Sequence, residues 1–200
     1  SEDAYYINLE TEEEHKFAGD ENDEMVNAAW SPDGDYALVS RGRRNFKLWL
    51  YHKDGGRGIK LIDPSSSFKA IDPTFGPDGR YIYYSQRNGA WNYNAQFPQY
   101  SIGVYDRETG ENSTLISRYG SAFTPTISPN GKWLVYGSRY EAETGLVLRN
   151  LEEGSERWLA YPIQRDDQES QATLGVLPSM DFTPNSQELV MFHEGKIVRL

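Results

Sequence analysis

Short β-type segments follow one another along the whole chain. Runs such as Tyr81-Ile82-Tyr83-Tyr84 and Trp133-Leu134-Val135-Tyr136 are rich in aromatic and β-branched residues, and Gly, Pro, Asn or Asp residues bound them. No stretch keeps apolar residues at the i, i+3, i+4 spacing of an amphipathic helix over a useful length. The pattern therefore predicts an all-β protein with almost no helix.

One turn motif occurs four times, and its prolines are separated by 45, 52 and 55 residues. In each copy an apolar stretch precedes the turn and a β-rich run follows it. Proline sets φ for the first corner, and Asp/Asn-Gly accepts the geometry that reverses the chain. Each copy therefore predicts a β-hairpin. The four copies are Ser31-Pro32-Asp33-Gly34, Gly76-Pro77-Asp78-Gly79, Ser128-Pro129-Asn130-Gly131 and Thr183-Pro184-Asn185-Ser186.

A third strand follows each hairpin, and a Gly-containing turn with a fourth strand follows three of them. Four antiparallel strands every 45 to 55 residues are typical of β-propeller blades. A β-sandwich would also have short strands, but it would not repeat one turn at the same place in each group of four. We expect an arc of about four blades from a larger propeller: a partial blade at 1–19, blades at about 20–63, 64–117 and 118–161, and a partial blade at 162–200.

The connections between strands fall on two faces of such an arc. The tight turns join strands one to two and three to four on one face. The opposite face, where function concentrates in rigid scaffolds, carries the long segments. These are 63–69 and 162–178 between blades and 87–99 and 139–144 between second and third strands. Two long segments carry aromatic, amide and charged residues typical of a contact surface. The alternatives are that the aromatic loop packs on its own propeller and that the charged run is a solvated linker. The candidate contact residues are Trp91, Tyr93, Phe97, Arg165 and Asp167.

Composition excludes several classes of function. With 20 basic and 30 acidic residues the formal net charge is −10, which disfavours nucleic acid and anionic membranes as partners. No apolar run reaches the roughly 18 to 20 residues needed to span a bilayer, so we expect no membrane insertion. Without cysteine, disulfides and thiolate chemistry are excluded. The N-terminal residues do not resemble a signal peptide, which leaves the compartment open.

No catalytic constellation is visible in the sequence. The three histidines, His15, His52 and His193, lie far apart and form no H-x-H or H-E-x-x-H pair. There is no G-x-S-x-G elbow and no Gly-rich phosphate loop. The acidic run at 20–24 lacks the spacing of a calcium loop, so a solvated run is the better interpretation. We therefore expect neither a catalytic site nor a bound metal or cofactor in this segment.

The turn motif followed by a Tyr- or Trp-led strand resembles the repeat of TolB-like β-propellers, which also occurs in relatives of prolyl oligopeptidase. Several segments are similar to the N-terminal propeller of a family of bacterial amidohydrolases, in which a metal-dependent barrel follows the propeller. The resemblance spans Trp30 to Leu200. It is carried most specifically by the aromatic loop from Trp91 to Tyr100 and by the run Arg165-Asp166-Asp167-Gln168-Glu169, with further segments at 48–56, 75–84, 117–123 and 143–146.

This resemblance implies an accessory, non-catalytic propeller that shapes or gates access to a barrel outside this chain. It also implies a divalent metal such as zinc in that barrel, a periplasmic or secreted location, and a C-terminal amidohydrolase domain or another protein surface as the partner. Two alternatives stay open: a stand-alone TolB-like module that binds proteins or peptides, and the gating propeller of a prolyl-oligopeptidase-type serine hydrolase. A downstream H-x-H supports the first interpretation, a stop after one more blade the second, and a G-x-S-x-G the third.

Overall fold

The computed structural model describes residues 3–19, 21–43, 45–62, 67–88, 100–165 and 177–200, and the regular structure of these residues is entirely β. The strands confirm the all-β prediction. Their bounds are β1 Ala4–Ile7, β2 Glu14–Ala18, β3 Glu24–Trp30, β4 Tyr36–Gly42, β5 Lys47–His52, β6 Gly55–Lys60, β7 Lys69–Phe75, β8 Tyr81–Arg87, β9 Ser101–Asp106, β10 Asn112–Ile116, β11 Phe123–Ile127, β12 Trp133–Tyr140, β13 Glu143–Asn150, β14 Glu156–Arg165, β15 Met180–Phe182, β16 Leu189–His193 and β17 Lys196–Arg199.

Neighbouring strands form antiparallel meanders in chain order. Three sheets have four strands each, β3 to β6, β7 to β10 and β11 to β14, while β1 and β2 form a two-stranded sheet and β15 to β17 a three-stranded one. The first strands of successive sheets contact one another, β3 against β7, β7 against β11 and β11 against β15. The first strand is therefore the innermost strand of each blade, and the fold is the predicted arc of propeller blades.

Apolar side chains between successive sheets form the core. Leu38, Leu48 and Ile82 are fully buried in the cluster that joins the sheet of β3–β6 to the sheet of β7–β10. Ile102 and Leu134 belong to the corresponding cluster one sheet further along. Because strand side chains alternate between faces, each inner blade contributes apolar residues to both of its neighbours. Stacked sheets of this kind hold the inner strands at fixed positions.

The repeated turn folds in the same way in all four copies. In the first copy, the Ser31 amide donates to the Tyr36 carbonyl at 2.8 Å, and the Gly34 amide donates to the Ser31 carbonyl at 2.9 Å. The same two bonds occur in the copies that begin at Gly76, Ser128 and Thr183. The fourth residue of the turn has a φ between 62° and 75° in every copy, which explains glycine in three of them. The fourth copy places Ser186 there.

Two connections are shorter than the sequence indicated. The segment from Arg139 to Thr144 was expected to be a loop between the second and third strands. Instead β12 extends to Tyr140 and β13 begins at Glu143, because the two strands stay paired to the end. The long link expected from Pro162 is also shortened, since β14 continues to Arg165 through pairs with Glu143 and Thr144.

Candidate functional site

The two faces of the arc are defined by the connections between strands. The turn face carries the links from first to second and third to fourth strands, such as 31–35, 53–54 and 76–80. The long-loop face carries the links from second to third strands and between blades, such as 43–46 and 117–122.

Most of the predicted contact residues lie outside the described residues. Trp91, Tyr93, Phe97 and Asp167 fall within 89–99 and 166–176, so their role stays a prediction. Arg165 is the last residue of β14, which places its backbone at the long-loop end of that blade's outermost strand.

The innermost strands share a one-residue bulge that sequence analysis did not predict. In β3, β7 and β11 the pairing with the second strand shifts by one residue, between Val26 and Ala29 in the first case. Asn27, Asp72 and Thr124 lie within these bulges, and each has a φ of 51° or 52°. A positive φ is unusual for any residue other than glycine, and most of all for the β-branched threonine. Such strained positions are characteristic of functional sites and bulges.

Asp72 joins two successive blades. Its Oδ2 atom accepts hydrogen bonds from Ser85 Oγ at 3.1 Å and from Thr124 Oγ1 at 3.3 Å. The Thr124 amide donates to Ser85 Oγ at 2.8 Å and closes the network. Burial raises the pKa of Asp72 to about 6, and the two hydroxyl donors oppose this rise only in part. A carboxyl group whose pKa lies close to neutral pH is a candidate for proton exchange or ligand binding.

The bulge positions line one concave cavity. It has a volume of about 890 Å³ and lies along the inner strands of four successive sheets. Asn27, Asp72, Thr124 and Ser179 all border it, each five residues before the proline of its turn motif. Three of these are bulge positions and Ser179 directly precedes β15, so each of the four sheets contributes one polar residue to the lining.

Three arginines lie near the long-loop ends of the second strands. Arg41, Arg87 and Arg139 stand at or next to the ends of the second strands β4, β8 and β12. Each guanidinium lies over an aromatic ring, Arg41 at 4.3 Å from the ring centre of Trp49, Arg87 at 5.4 Å from Tyr100 and Arg139 at 5.0 Å from Phe123. Stacking of this kind holds the planar charged group in a fixed orientation.

Two lysines add charge beside these arginines. Lys47 and Lys69 are both buried, and Lys47 Nζ donates to the Phe68 carbonyl. Burial, together with the positive charges of Arg87 and Lys47, lowers the pKa of Lys69 to about 8. Lys69 is also the direct cross-strand partner of Arg87. The inner part of the long-loop face is therefore positively charged in a protein whose net charge is −10.

An exposed aromatic group lies on the same face, at the outer strands of the third complete blade. The rings of Trp158 and Tyr161 are 5.3 Å apart, and Tyr140 meets Tyr161 edge-on at 6.1 Å. The rings of Trp158 and Tyr161 both pack over Gly145, where a Cβ atom would lie within 2.8 Å of each ring. Although these rings contact one another, Tyr140 is 56% and Tyr161 40% exposed. Tyr119, which follows the Arg118 that lies over the Trp158 ring, is 82% exposed. We call Tyr119, Tyr140, Trp158 and Tyr161 the aromatic patch.

Sequence analysis missed the aromatic patch because its members lie in three different segments of the chain. The signal available was weak: Tyr140 ends β12 at the long-loop face, while Tyr161 lies within β14. Their proximity depends on the tight link between β12 and β13 and on the extension of β14, and neither was predicted.

The described residues show no metal centre. Among residues 3–19, 21–43, 45–62, 67–88, 100–165 and 177–200, no group of three or more His, Asp or Glu side chains is placed to hold a metal ion. Over the same ranges no helix is long and apolar enough to span a membrane.

The fold and these surfaces define the chain as a β-propeller segment that presents a charged and aromatic face. No protein-family model matches the chain, and no curated protein matches it. Similar solved structures include TolB from Acinetobacter baumannii, with a TM-score of 0.69 and 18% identity over 98% of this chain and 44% of that one. An oligogalacturonate lyase in complex with manganese has a TM-score of 0.61 and 17% identity over 96% of this chain and 51% of that one.

A third similar structure is a chain of a nidogen/laminin complex, with a TM-score of 0.68 and 13% identity over 96% of this chain and 65% of that one. The chain thus spans 44% to 65% of the length of these three proteins. At these identities the likeness shows the fold alone, which is that of a TolB-like β-propeller.

Proposed function

We propose that this chain is a non-catalytic propeller whose long-loop face contacts a neighbouring domain or protein. The observation that carries the proposal is the aromatic patch, because large exposed rings beside charged groups are typical of protein interfaces. Arg118 belongs to the same surface: its guanidinium lies 5.7 Å from the Trp158 ring centre and bonds to Tyr136 Oη at 3.0 Å. Aromatic and arginine anchors of this kind dominate interface energetics.

The partner that we propose is a metal-dependent amidohydrolase barrel in the same polypeptide, with zinc or another divalent metal held by the barrel. The sequence resemblance over 30–200 supports this assignment. In this arrangement the propeller shapes the entrance to the barrel active site, and the chemistry belongs to the barrel. The protein would then be periplasmic or secreted.

A second candidate is a stand-alone TolB-like module that binds proteins or peptides. The similarity to TolB over 98% of this chain favours it. Both candidates use the long-loop face for contact, and they differ in whether the bound surface is part of the same polypeptide. The parent reading frame separates them, because a downstream H-x-H belongs to the barrel and its absence favours the module.

The contact surface is tested with two double variants in the full-length protein. Tyr140→Ala/Tyr161→Ala removes two rings of the aromatic patch, and Tyr36→Ala/Ile59→Ala removes two exposed apolar side chains elsewhere on the propeller. If a barrel follows, hydrolase activity per folded molecule should fall about tenfold or more in the first variant and stay unchanged in the second, as loss of a hot spot predicts.

For a stand-alone module the same variants are compared by affinity for the bound protein or peptide, with the melting temperature measured in parallel. Unchanged activity or affinity in the patch variant, at an unchanged melting temperature, would show that the long-loop face is not the contact surface.

A further inference from the structure

An open cleft lies at the long-loop ends of β4, β5 and β6, apart from the aromatic patch and from the concave cavity. Its volume is about 640 Å³, within the range of about 300 to 1,000 Å³ common for small-ligand sites. Its walls come from the ends of the four adjacent strands β3 to β6 and from Arg43 and Asn45 between β4 and β5. The cleft is therefore built on sheet structure that is fixed by pairing.

The lining of this cleft is rich in cations. Arg41, Arg43, Lys47 and Lys60 border it, and the carboxylates in the lining are those of Asp23 and Glu24. Four cations against two carboxylates give a formal surplus of positive charge, although the whole chain carries −10. Clefts lined by one sign of charge concentrate ligands of the opposite sign.

The geometry at the back of the cleft is fixed by Arg41. Its Nε atom donates to Asp23 Oδ2 at 2.9 Å, one terminal nitrogen donates to Tyr51 Oη at 2.9 Å, and the guanidinium stacks on Trp49. Asp23 is thus neutralised within the wall of the cleft. Glu24 is the other carboxylate in the lining, against the three cations Arg43, Lys47 and Lys60.

Arg43 and Asn45, in the link between β4 and β5, are the exposed lining residues that follow Gly42. Gly42 allows a close turn, since a Cβ atom there would lie 3.1 Å from the Asn45 carbonyl oxygen. Arg43 follows it and is exposed, as is Lys60 at the end of β6. These two side chains are the exposed cations of the lining, while Lys47 is buried.

We propose that this cleft binds an anionic group, a carboxylate or a phosphate, on a small ligand. Arginine and lysine side chains that converge on one cavity provide charge-assisted hydrogen bonds, which are shorter and stronger than neutral ones. The Asn45 amide and the Trp49 indole in the lining complete a mixed polar and aromatic site for a group attached to the anion. The inference does not depend on the contact function of the aromatic patch.

The test is calorimetric titration of the full-length protein with inorganic phosphate and, separately, with citrate as a polycarboxylate. We expect a dissociation constant of about 1 mM or below for at least one probe, weakening as salt rises from 50 to 200 mM. Binding of one probe and not the other identifies the preferred anion. If neither probe binds in the millimolar range, the proposal is wrong.

Two double variants that each lose two positive charges test whether the anion binds in the cleft. Arg43→Gln/Lys60→Gln removes the exposed cations of the cleft and should weaken binding about tenfold or more. Lys53→Gln/Arg57→Gln removes two cations of the same blade that do not line the cleft, and it should leave binding unchanged. Equal weakening in both pairs would indicate diffuse charge attraction and would overturn the proposal.

A third variant works in the opposite direction. Glu24→Gln removes a negative charge from the lining and should strengthen anion binding severalfold. Arg43, Arg57 and Lys60 are exposed, whereas Glu24 and Lys53 are half-buried, so thermal melting of the whole set checks that the fold is intact. Weaker binding in Glu24→Gln with an unchanged melting temperature would contradict an anion site.

Discussion

The carboxylate of Asp72 accepts a hydrogen bond of 3.3 Å from the hydroxyl of Thr124, across the boundary between two successive blades. Both residues lie in strand bulges with positive φ. At the equivalent place one blade earlier, the Asn27 Oδ1 and Ser40 Oγ atoms have no hydrogen-bond partner among the described residues. The blades therefore share a backbone feature, but only one described pair uses it for a polar link.

Replacing Asp72 by Asn should make the fold less sensitive to pH. The folded-state pKa of about 6 lies above the unfolded value of about 3.9, so the folded state holds the proton more tightly. The stabilising effect of this group is complete below about pH 4 and is lost as the pH rises through 6. Asp72→Asn should thus raise the free energy of unfolding at pH 8 by about 1 to 3 kcal/mol, with little change at pH 4.

Urea unfolding between pH 4 and pH 8 checks this expectation. The control is Asp78→Asn at an exposed turn position, where two other copies of the motif already carry Asn. A stability difference that does not vary with pH would show that Asp72 is not the titrating group.

Gly103 should be the glycine of the second complete blade that tolerates substitution least. A Cβ atom there would lie 2.5 Å from the buried ring of Tyr84 and 2.6 Å from the Gln86 side chain. Gly103→Ala should destabilise the fold by about 1 to 3 kcal/mol through overpacking.

The matched control is Gly76→Ser, since the Cβ contacts at that position begin at 3.4 Å and two other turn copies have serine there. Denaturant midpoints of both variants are compared with the parent. A smaller loss for Gly103→Ala than for Gly76→Ser would contradict the packing of Tyr84 against β9.

The stacking of Arg41 on Trp49 should require a guanidinium. Arg41→Lys keeps the charge but loses the planar group that bonds to Asp23 and Tyr51 together. We expect a loss of about 1 to 2 kcal/mol in the free energy of unfolding. Lys132→Arg, a charge-conserving change at an exposed position, is the control, and equal effects from both changes would argue against the stacked geometry.

The loop residues predicted from sequence are tested by separating stability from activity. Trp91→Ala, Tyr93→Ala and Phe97→Ala should lower the activity or affinity of the full-length protein, with alanine truncation costing about 2 kcal/mol at a true hot spot. The melting temperature is measured in the same variants, with Arg165→Ala and Asp167→Ala alongside. A large melting shift with unchanged activity per folded molecule would show that these residues belong to the core.

This chain by itself should hydrolyse no peptide, amide or ester. The expectation rests on the lack of H-x-H and G-x-S-x-G motifs in the sequence. Assays with and without divalent metal check it, and turnover that persists through further purification would refute it.

The sequence by itself determined the blades, because their signals are local. A turn such as Ser31-Pro32-Asp33-Gly34 specifies its own hairpin through the φ preferences of proline and glycine, and the apolar runs beside it specify strands. The arc follows from repetition of that unit. Only the tertiary structure decided which side chains meet, since contact between segments depends on pairing register and strand extension.

Asp72 illustrates the difference between what local sequence specifies and what the tertiary structure decides. Its sequence context, Ile71-Asp72-Pro73, gives no sign that a bulge turns it toward Thr124 fifty-two residues later. Arg41 reaches Trp49 through the pairing of β4 with β5, and Tyr140 reaches Tyr161 because β14 continues past its expected end. Local conformational preference is written in neighbouring residues, whereas the burial and charge environment of a side chain depends on strands that the chain brings together only when it folds.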